Sequence, residues 1–263
     1  MPESLVPFHI HDKSLASYWG SLATGDSGQL FASGSCSGSI CGLPGGLFNP
    51  AVVSGRNTDD ISGLVRQMRP ELARRNLSSL WWVGRGAQGP ATTKVLGSLG
   101  VKQIGGTPAM ECPLDPWRPA PLPEGLTIET VTGRKPRSAW GNFLCLCFEL
   151  GEEIAEGYAL VEEKMPDAER FGYERYLARL DGEPAGVALL NMEGGVAGVY
   201  CIATLPSVRG RGVGAAVTRH TMARGKTLGA TAALLQATEM GEPVYRKLGF
   251  KTVFHYQNYA LEA

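Results

Sequence analysis

The ten residues Pro206-Ser207-Val208-Arg209-Gly210-Arg211-Gly212-Val213-Gly214-Ala215 constrain this chain more than any other stretch. An apolar, strand-like run, Val196 to Leu205, leads into them, and a helix-like run, Val213 to Thr227, leads away. The first-turn amides of a helix have no intrahelical acceptors, and the aligned peptide dipoles place partial positive charge on them. Three glycines free the backbone for positive φ and for close approach to a ligand. Arg209 and Arg211 carry charge that no pH near neutrality removes. The segment is therefore expected to hold a phosphorylated ligand.

Formal net charge is zero, which argues against a nucleic-acid binder. Yet no acidic residue lies between Glu193 and Glu239, where Arg209, Arg211, Arg219, Arg224 and Lys226 occur. A cationic segment in a neutral chain points to one anionic ligand site. Arg219, Arg224 and Lys226 fit a solvated helix face better than that site, and Arg224 and Lys226 would complement the helix C-terminus. Among phosphate-binding patterns, the Walker loop needs a lysine after its glycines, and none follows here. A dinucleotide fingerprint needs G-x-G-x-x-G, whereas Gly210, Gly212 and Gly214 give G-x-G-x-G. What remains is Arg209-x-x-Gly212-x-Gly214 after a strand.

Prolines 113, 116, 119, 121 and 123 exclude a helix or inner strand and divide the chain. The expected organisation is an N-terminal domain over 1–113, a proline-rich linker over 114–125 and a second domain over 126–263. The second domain reads as a strand, Leu126 to Val131, then helices Ser138 to Leu150 and Glu152 to Met165. Strands Tyr173 to Leu180 and Ala185 to Asn191 follow, joined by Asp181-Gly182, a favoured hairpin pair. After the glycine turn and its helix come a strand, Ala232 to Ala237, a short helix opened by Pro243 and stopped by Gly249, and closing strands to Leu261. The fold class is α/β with a mixed sheet, not a repeated βαβ sheet.

The glycine pattern resembles the coenzyme signature Q/R-x-x-G-x-G/A of the GNAT superfamily, the GCN5-related N-acetyltransferases. Pro243-Val-Tyr245-Arg-Lys-Leu-Gly-Phe250 resembles that family's later motif, in which a tyrosine precedes a Lys-Leu-Gly-Phe-like ending. The resemblance covers about Leu126 to Ala263. The first half echoes it as a degenerate GNAT-like module: Leu99-Gly100-Val101 matches Leu248-Gly249-Phe250, Asp59 and Asp60 stand where the arginines would be, and Leu96 falls in the register of Tyr245. A tandem GNAT-like fold with one coenzyme site is thus expected.

The resemblance implies roles. Backbone N–H groups of Arg209, Gly210, Arg211, Gly212, Val213, Gly214 and Ala215 would hold the pyrophosphate of acetyl-CoA. The family's fourth and fifth strands splay, and Ile202, Ala203, Thr204 and Leu205 match the strand that pairs with the pantetheine arm. Tyr245 matches the tyrosine that protonates the departing thiolate. Thr238 stands where many members carry the asparagine that holds pantetheine or tyrosine. The implied function is transfer of the acetyl group of acetyl-CoA directly to a primary amine of a small-molecule or peptide acceptor. A non-catalytic acyl-CoA-binding or regulatory module is the alternative, because Val196 to Leu205 carries no carboxylate to serve as base. Tyr200, Ile202 and Thr204 alternate and are expected to share a face. Glu149, Glu152 and Glu153 lie between two helices and fit solvated helix termini better than a catalytic base.

His9 and His11 fall on a segment expected to be extended, and no histidine has metal spacing with carboxylates, so no metal is expected. None of the six cysteines forms a C-x-x-C pair, and Cys145 and Cys147 read as buried packing. No signal pattern or membrane-length apolar run is evident, so a cytoplasmic location without membrane or nucleic-acid partners is expected.

Overall fold

A computed structural model describes residues 3–23, 28–165 and 173–262. The chain divides into two compact units, one formed mainly by Val6–Ala109 with Val253–Ala263, the other by Met110–Thr252.

The first unit contains α1 (Phe8–Leu22), β1 (Gln29–Ser33), β2 (Cys36–Ile40), β3 (Ala51–Val53), α2 (Thr58–Arg75), β4 (Ser79–Val83), α3 (Pro90–Ser98) and most of β5 (Lys102–Pro113). β3 and β4 run parallel on either side of α2 in the chain, and their register holds to the ends of both strands, Val53 opposite Val83. One more bond, from the Gly84 N–H to the Val53 carbonyl, extends it. Ile61, Leu64, Val65, Met68 and Leu72 fall at helical spacing on α2 and pack with Trp81 and Tyr259. His9 and His11 correct an expectation: they lie on helix α1, where His11 is fully buried beside Phe254.

The second unit contains β6 (Leu126–Val131), α4 (Arg134–Cys147), α5 (Glu152–Lys164), β7 (Tyr173–Leu180), β8 (Glu183–Glu193), β9 (Val196–Thr204), α6 (Val213–Thr227), β10 (Ala232–Gln236) and α7 (Glu242–Lys247). A last strand, β11 (Lys251–Leu261), follows. From Val253 onward the chain belongs to the first unit, where β11 pairs antiparallel with β4. Instead of several closing strands there is this one. Strands β6 to β9 form an antiparallel meander, and β10 lies parallel to β9. Asp181 and Gly182 both take positive φ, 55° and 89°, as the two-residue hairpin turn between β7 and β8 requires.

One face of this sheet packs on α6, through Val199, Leu190 and Ala197 against Val213, Ala216 and Val217. The opposite face carries α4 and α5. There Arg175 of β7 and Glu162 of α5 form an ion pair at 2.6 Å, both fully buried. Burial pushes the Glu162 carboxyl up and the guanidinium beside it opposes that shift.

The proline-rich segment is tied down along α6. The Leu114 N–H donates to the Thr231 carbonyl, and Lys226 Nζ donates to the Trp117 carbonyl at 3.0 Å. At its far end the Asp181 N–H donates to the Gly125 carbonyl.

Candidate active site

Among the described residues β9 and β10 pair at three positions, Val196, Ala197 and Gly198 opposite Ala232, Ala233 and Leu234. Both strands then run on, β9 to Thr204 and β10 to Gln236. A parallel pair that stops pairing while its strands continue leaves backbone donors and acceptors along one edge without ladder partners, as an extended ligand would need. Ile202, Ala203 and Thr204 lie on this unpaired part of β9, and Leu205 follows it.

A β-bulge marks the same place. Leu189 pairs with Tyr200 and Val187 with Ala203, so Cys201 and Ile202 together face the single residue Ala188. Cys201 has φ 53°, a left-handed conformation that a cysteine adopts only under constraint. The extra residue overturns simple alternation. Tyr200 shares its face with Leu189 and Arg175, on the α4–α5 side. Ile202 packs on the core beneath α6, and Thr204 Oγ1 approaches Gly214 of α6.

Past Leu205 the chain makes one 3-10 turn, Pro206–Val208, and reaches the glycines. Gly210 and Gly212 take φ 78° and 82°, and Gly212 is the N-cap of α6 with no side chain capping that helix. Gly214 differs from the expectation for it: its φ is helical. A Cβ there would lie 3.2 Å from Thr204 Oγ1, so its glycine serves packing of α6 on β9. Among the described residues the backbone N–H groups of Gly210, Arg211, Gly212, Val213, Gly214 and Ala215 meet no protein acceptor. The first backbone acceptance from this turn is Ala216 N–H to the Gly212 carbonyl. Six donors without a protein acceptor at the N-terminus of this fifteen-residue helix make a concentrated positive pole.

The arginine side chains point elsewhere. Arg209 donates through Nη2 to the Cys147 carbonyl at 3.1 Å and through Nε to the Thr204 carbonyl at 3.4 Å. It also faces Glu149 at 3.5 Å. Arg211 faces Asp181 of the β7–β8 turn at 3.5 Å. Arg224 is gripped by Glu174 through three hydrogen bonds.

Tyr245 lies on α7, buried in the cluster that includes Val213, Ala237 and Phe250. Burial alone pushes its phenol up to about 12, so it stays protonated through the neutral range. Thr238 prepares α7: its Oγ1 accepts the Gly241 N–H at 3.1 Å, and its carbonyl accepts the Glu242 N–H at 2.9 Å. Of the carboxylates near the first two helices, Glu152 and Glu153 are exposed in the first turn of α5, where they complement its dipole. Cys145 and Cys147 are buried, and burial pushes both thiols up, to about 11 and about 12.

The first unit has the same strand–helix–strand plan without this site. At the start of α2 the Asn57 side chain accepts the Asp59 N–H and donates to Asp60. Asp60 also accepts the Ser35 N–H and hydroxyl. That helix end is capped and acidic, and the parallel strands beside it stay paired to their ends. Leu96, in the register of Tyr245, is a fully buried core residue of α3.

Residues 139–250 match the model of the acetyltransferase (GNAT) family. The second unit is a GNAT domain. Solved structures share the fold over nearly the whole chain. A GCN5-related N-acetyltransferase from Kribbella flavida is 20% identical, covers 94% of this chain and 93% of its own, with a TM-score of 0.68. A tandem GNAT protein from the clavulanic acid biosynthesis pathway is 16% identical and covers 99% and 90%, with a TM-score of 0.64. A GCN5-related N-acetyltransferase from Sphaerobacter thermophilus is 18% identical and covers 87% and 76%, with a TM-score of 0.60. No curated protein matches by sequence. The architecture is accordingly a tandem GNAT-like fold, in which the GNAT domain carries the uncapped turn, the split strands and Tyr245. Among the described residues of the chain no group of His, Cys, Asp and Glu could hold a metal ion, and no helix is long and apolar enough to cross a membrane.

Two features of the GNAT domain have no signature in the sequence. The bulge falls on Tyr200-Cys201-Ile202, with no glycine to mark it. The Arg175–Glu162 pair joins residues far apart in the chain, and only the placement of an arginine between apolar strand neighbours Tyr173 and Leu177 hints at it.

Proposed function

We propose that the GNAT domain transfers the acetyl group of acetyl-CoA directly to a primary amine. The observation that carries this reading is the junction of three features: β9 and β10 unpaired after Gly198 and Leu234, six acceptorless N–H groups at the start of α6, and a protonated tyrosine on α7. In this reading the N–H groups of residues 210–215 hold the pyrophosphate, while the Arg209 N–H is taken by the Pro206 carbonyl. Ile202, Ala203 and Thr204 supply backbone partners to the pantetheine amides; Leu205 ends that edge, its N–H donating to the Ala185 carbonyl and its carbonyl accepting the Val208 N–H. Thr238 positions α7.

The chemistry balances with these groups. A neutral amine attacks the thioester carbonyl, forming the C–N bond, and negative charge on the carbonyl oxygen is met by a backbone N–H of β9. The C–S bond breaks, the thiolate takes the Tyr245 proton, and the amine nitrogen gives its surplus proton to water. Solvent then restores the phenol. β9 has no carboxylate, so the amine reaches its neutral form through water. That step is easier for an α-amino group, pKa about 8, than for a lysine-type amine, pKa about 10.4. Holding both reactants in one geometry supplies the largest part of the rate.

Calorimetry with acetyl-CoA followed by thiol release across an amine panel tests the proposal. Binding with turnover supports it. Tight binding without turnover on any amine would assign the domain to acyl-CoA sensing, and no heat at high micromolar ligand would remove both readings.

A further inference from the structure

The cap at the end of α4 contains an anomaly. The Leu150 N–H donates to the Cys145 carbonyl and the Glu149 N–H to the Leu146 carbonyl, the paired bonds of a Schellman motif. The left-handed position of that motif favours glycine, and here it holds Glu149 at φ 55°. A glutamate in this conformation is disfavoured relative to glycine. Nothing in the cap itself needs a carboxylate. Its Oε2 instead faces Arg209 Nη2 at 3.5 Å, and the same Nη2 takes the Cys147 carbonyl, an acceptor at the helix C-terminus. The guanidinium Nε reaches the carbonyl of Thr204, the last residue of β9. One arginine thus bridges the end of the split strand, the glycine turn that it belongs to, and the α4–α5 junction.

We propose that Arg209 is a positioning residue that couples the coenzyme turn to the α4–α5 junction, with Glu149 as its counterpart. Pyrophosphate held by the backbone of the turn fixes Arg209, and Arg209 fixes the C-terminal end of α4 and the segment entering α5. The side chain is spent on this contact and does not hold the phosphate. The proposal rests on the coenzyme reading above.

Hydrogen exchange with coenzyme A as probe tests it without knowledge of the acceptor. Saturating coenzyme A is expected to slow exchange of amides in 147–152 by at least about fivefold in the wild-type protein. In Arg209→Gln the dissociation constant should stay within about fivefold, because the backbone still holds the phosphates, while the junction no longer responds. Arg209→Lys should restore part of the response. Glu149→Gly relieves the strained cap, so it should fold at least as stably and bind coenzyme A normally, with a weakened response at the junction. A larger loss of affinity in Arg209→Gln would make the guanidinium a phosphate ligand and overturn the proposal. So would wild-type binding that leaves the junction unprotected. If the wild-type protein binds no coenzyme A, the function proposed above falls and the coupling with it.

Discussion

Gly198 and Leu234 are the last residues at which β9 and β10 pair, although both strands continue beyond them. The bulge at Cys201 and Ile202 lies three residues further along β9 and turns that strand's remaining residues over. Together the two irregularities make an edge inside a sheet, which a packed fold tolerates only where something else satisfies the backbone.

Cys201 bears the strain of this arrangement at φ 53°. Cys201→Gly should therefore leave stability unchanged or raise it. Cys201→Val puts a β-branched residue in a left-handed conformation and should lower stability by about 1–2 kcal/mol. Chemical denaturation midpoints of the two variants check this. Equal midpoints would mean that the bulge relaxes freely and is not imposed by the surrounding sheet.

The glycine turn separates backbone from packing roles. Gly212→Ala must hold an L side chain at φ 82°, with its Cβ in ordinary contact with Pro123 at 3.6 Å, so the positive φ strains the turn that presents the first N–H groups of α6. A loss of about 1.4 kcal/mol there corresponds to about tenfold weaker coenzyme binding. Gly214→Ala meets only a hydroxyl at 3.2 Å inside a helix and should weaken binding less than threefold, about the effect of a small shift in α6. Titration calorimetry of both variants distinguishes the roles, and a stronger effect at Gly214 would contradict the assignment.

Tyr245→Phe removes a proton donor while keeping the ring that packs against Phe250 at 6.0 Å. Turnover should fall by about a hundredfold, with coenzyme affinity within about threefold. With its phenol pushed up to about 12, Tyr245 remains an acid throughout pH 6–9 and adds no limb to the pH profile there. A limb in that range therefore comes from a group other than Tyr245. Thiol-release kinetics of wild type and variant settle the role, and an unchanged turnover number would leave the tyrosine as packing alone.

Most of the GNAT domain was legible because glycine and proline mark its boundaries. Asp181-Gly182, Gly212, Pro243, Gly229 and Gly249 each sit at the turn or helix end that their chemistry demands. The first unit was harder to read. Helix α1 starts after Pro7 with no side-chain cap and no acidic first turn, and it buries His11, Asp12 and Ser14 among its apolar residues. Its periodicity is therefore masked, and an extended segment was the natural expectation. β11 follows the GNAT motifs in the chain but pairs with β4, a choice of partner that no local pattern encodes. The directions of Arg209 and Arg211 were equally hidden, since their charge suggested a ligand and only tertiary contacts reveal Cys147, Glu149 and Asp181.

Asp12 makes the stability of the first unit depend on pH. Its carboxylate accepts the Tyr256 hydroxyl at 2.9 Å, and it is pressed against Gly84. Desolvation by burial is the main effect on it and pushes the carboxyl from 3.8 up to about 6, against smaller opposing contributions from Tyr256, His11, Ser54 and His9. The folded chain therefore keeps this proton at pH values where the unfolded chain has released it. Its contribution to stability is full below about pH 3.8 and is lost as pH rises through about 6. A shift of that size corresponds to about 3 kcal/mol. Asp12→Asn copies the protonated shape, can still accept the Tyr256 hydroxyl, and cannot ionise. The two proteins should be about equally stable near pH 4, and the asparagine variant should be more stable by about 3 kcal/mol at pH 7. Urea denaturation of both across pH 4–8 measures the difference directly. Parallel curves would show that Asp12 is hydrated in solution and that its burial does not control the first unit.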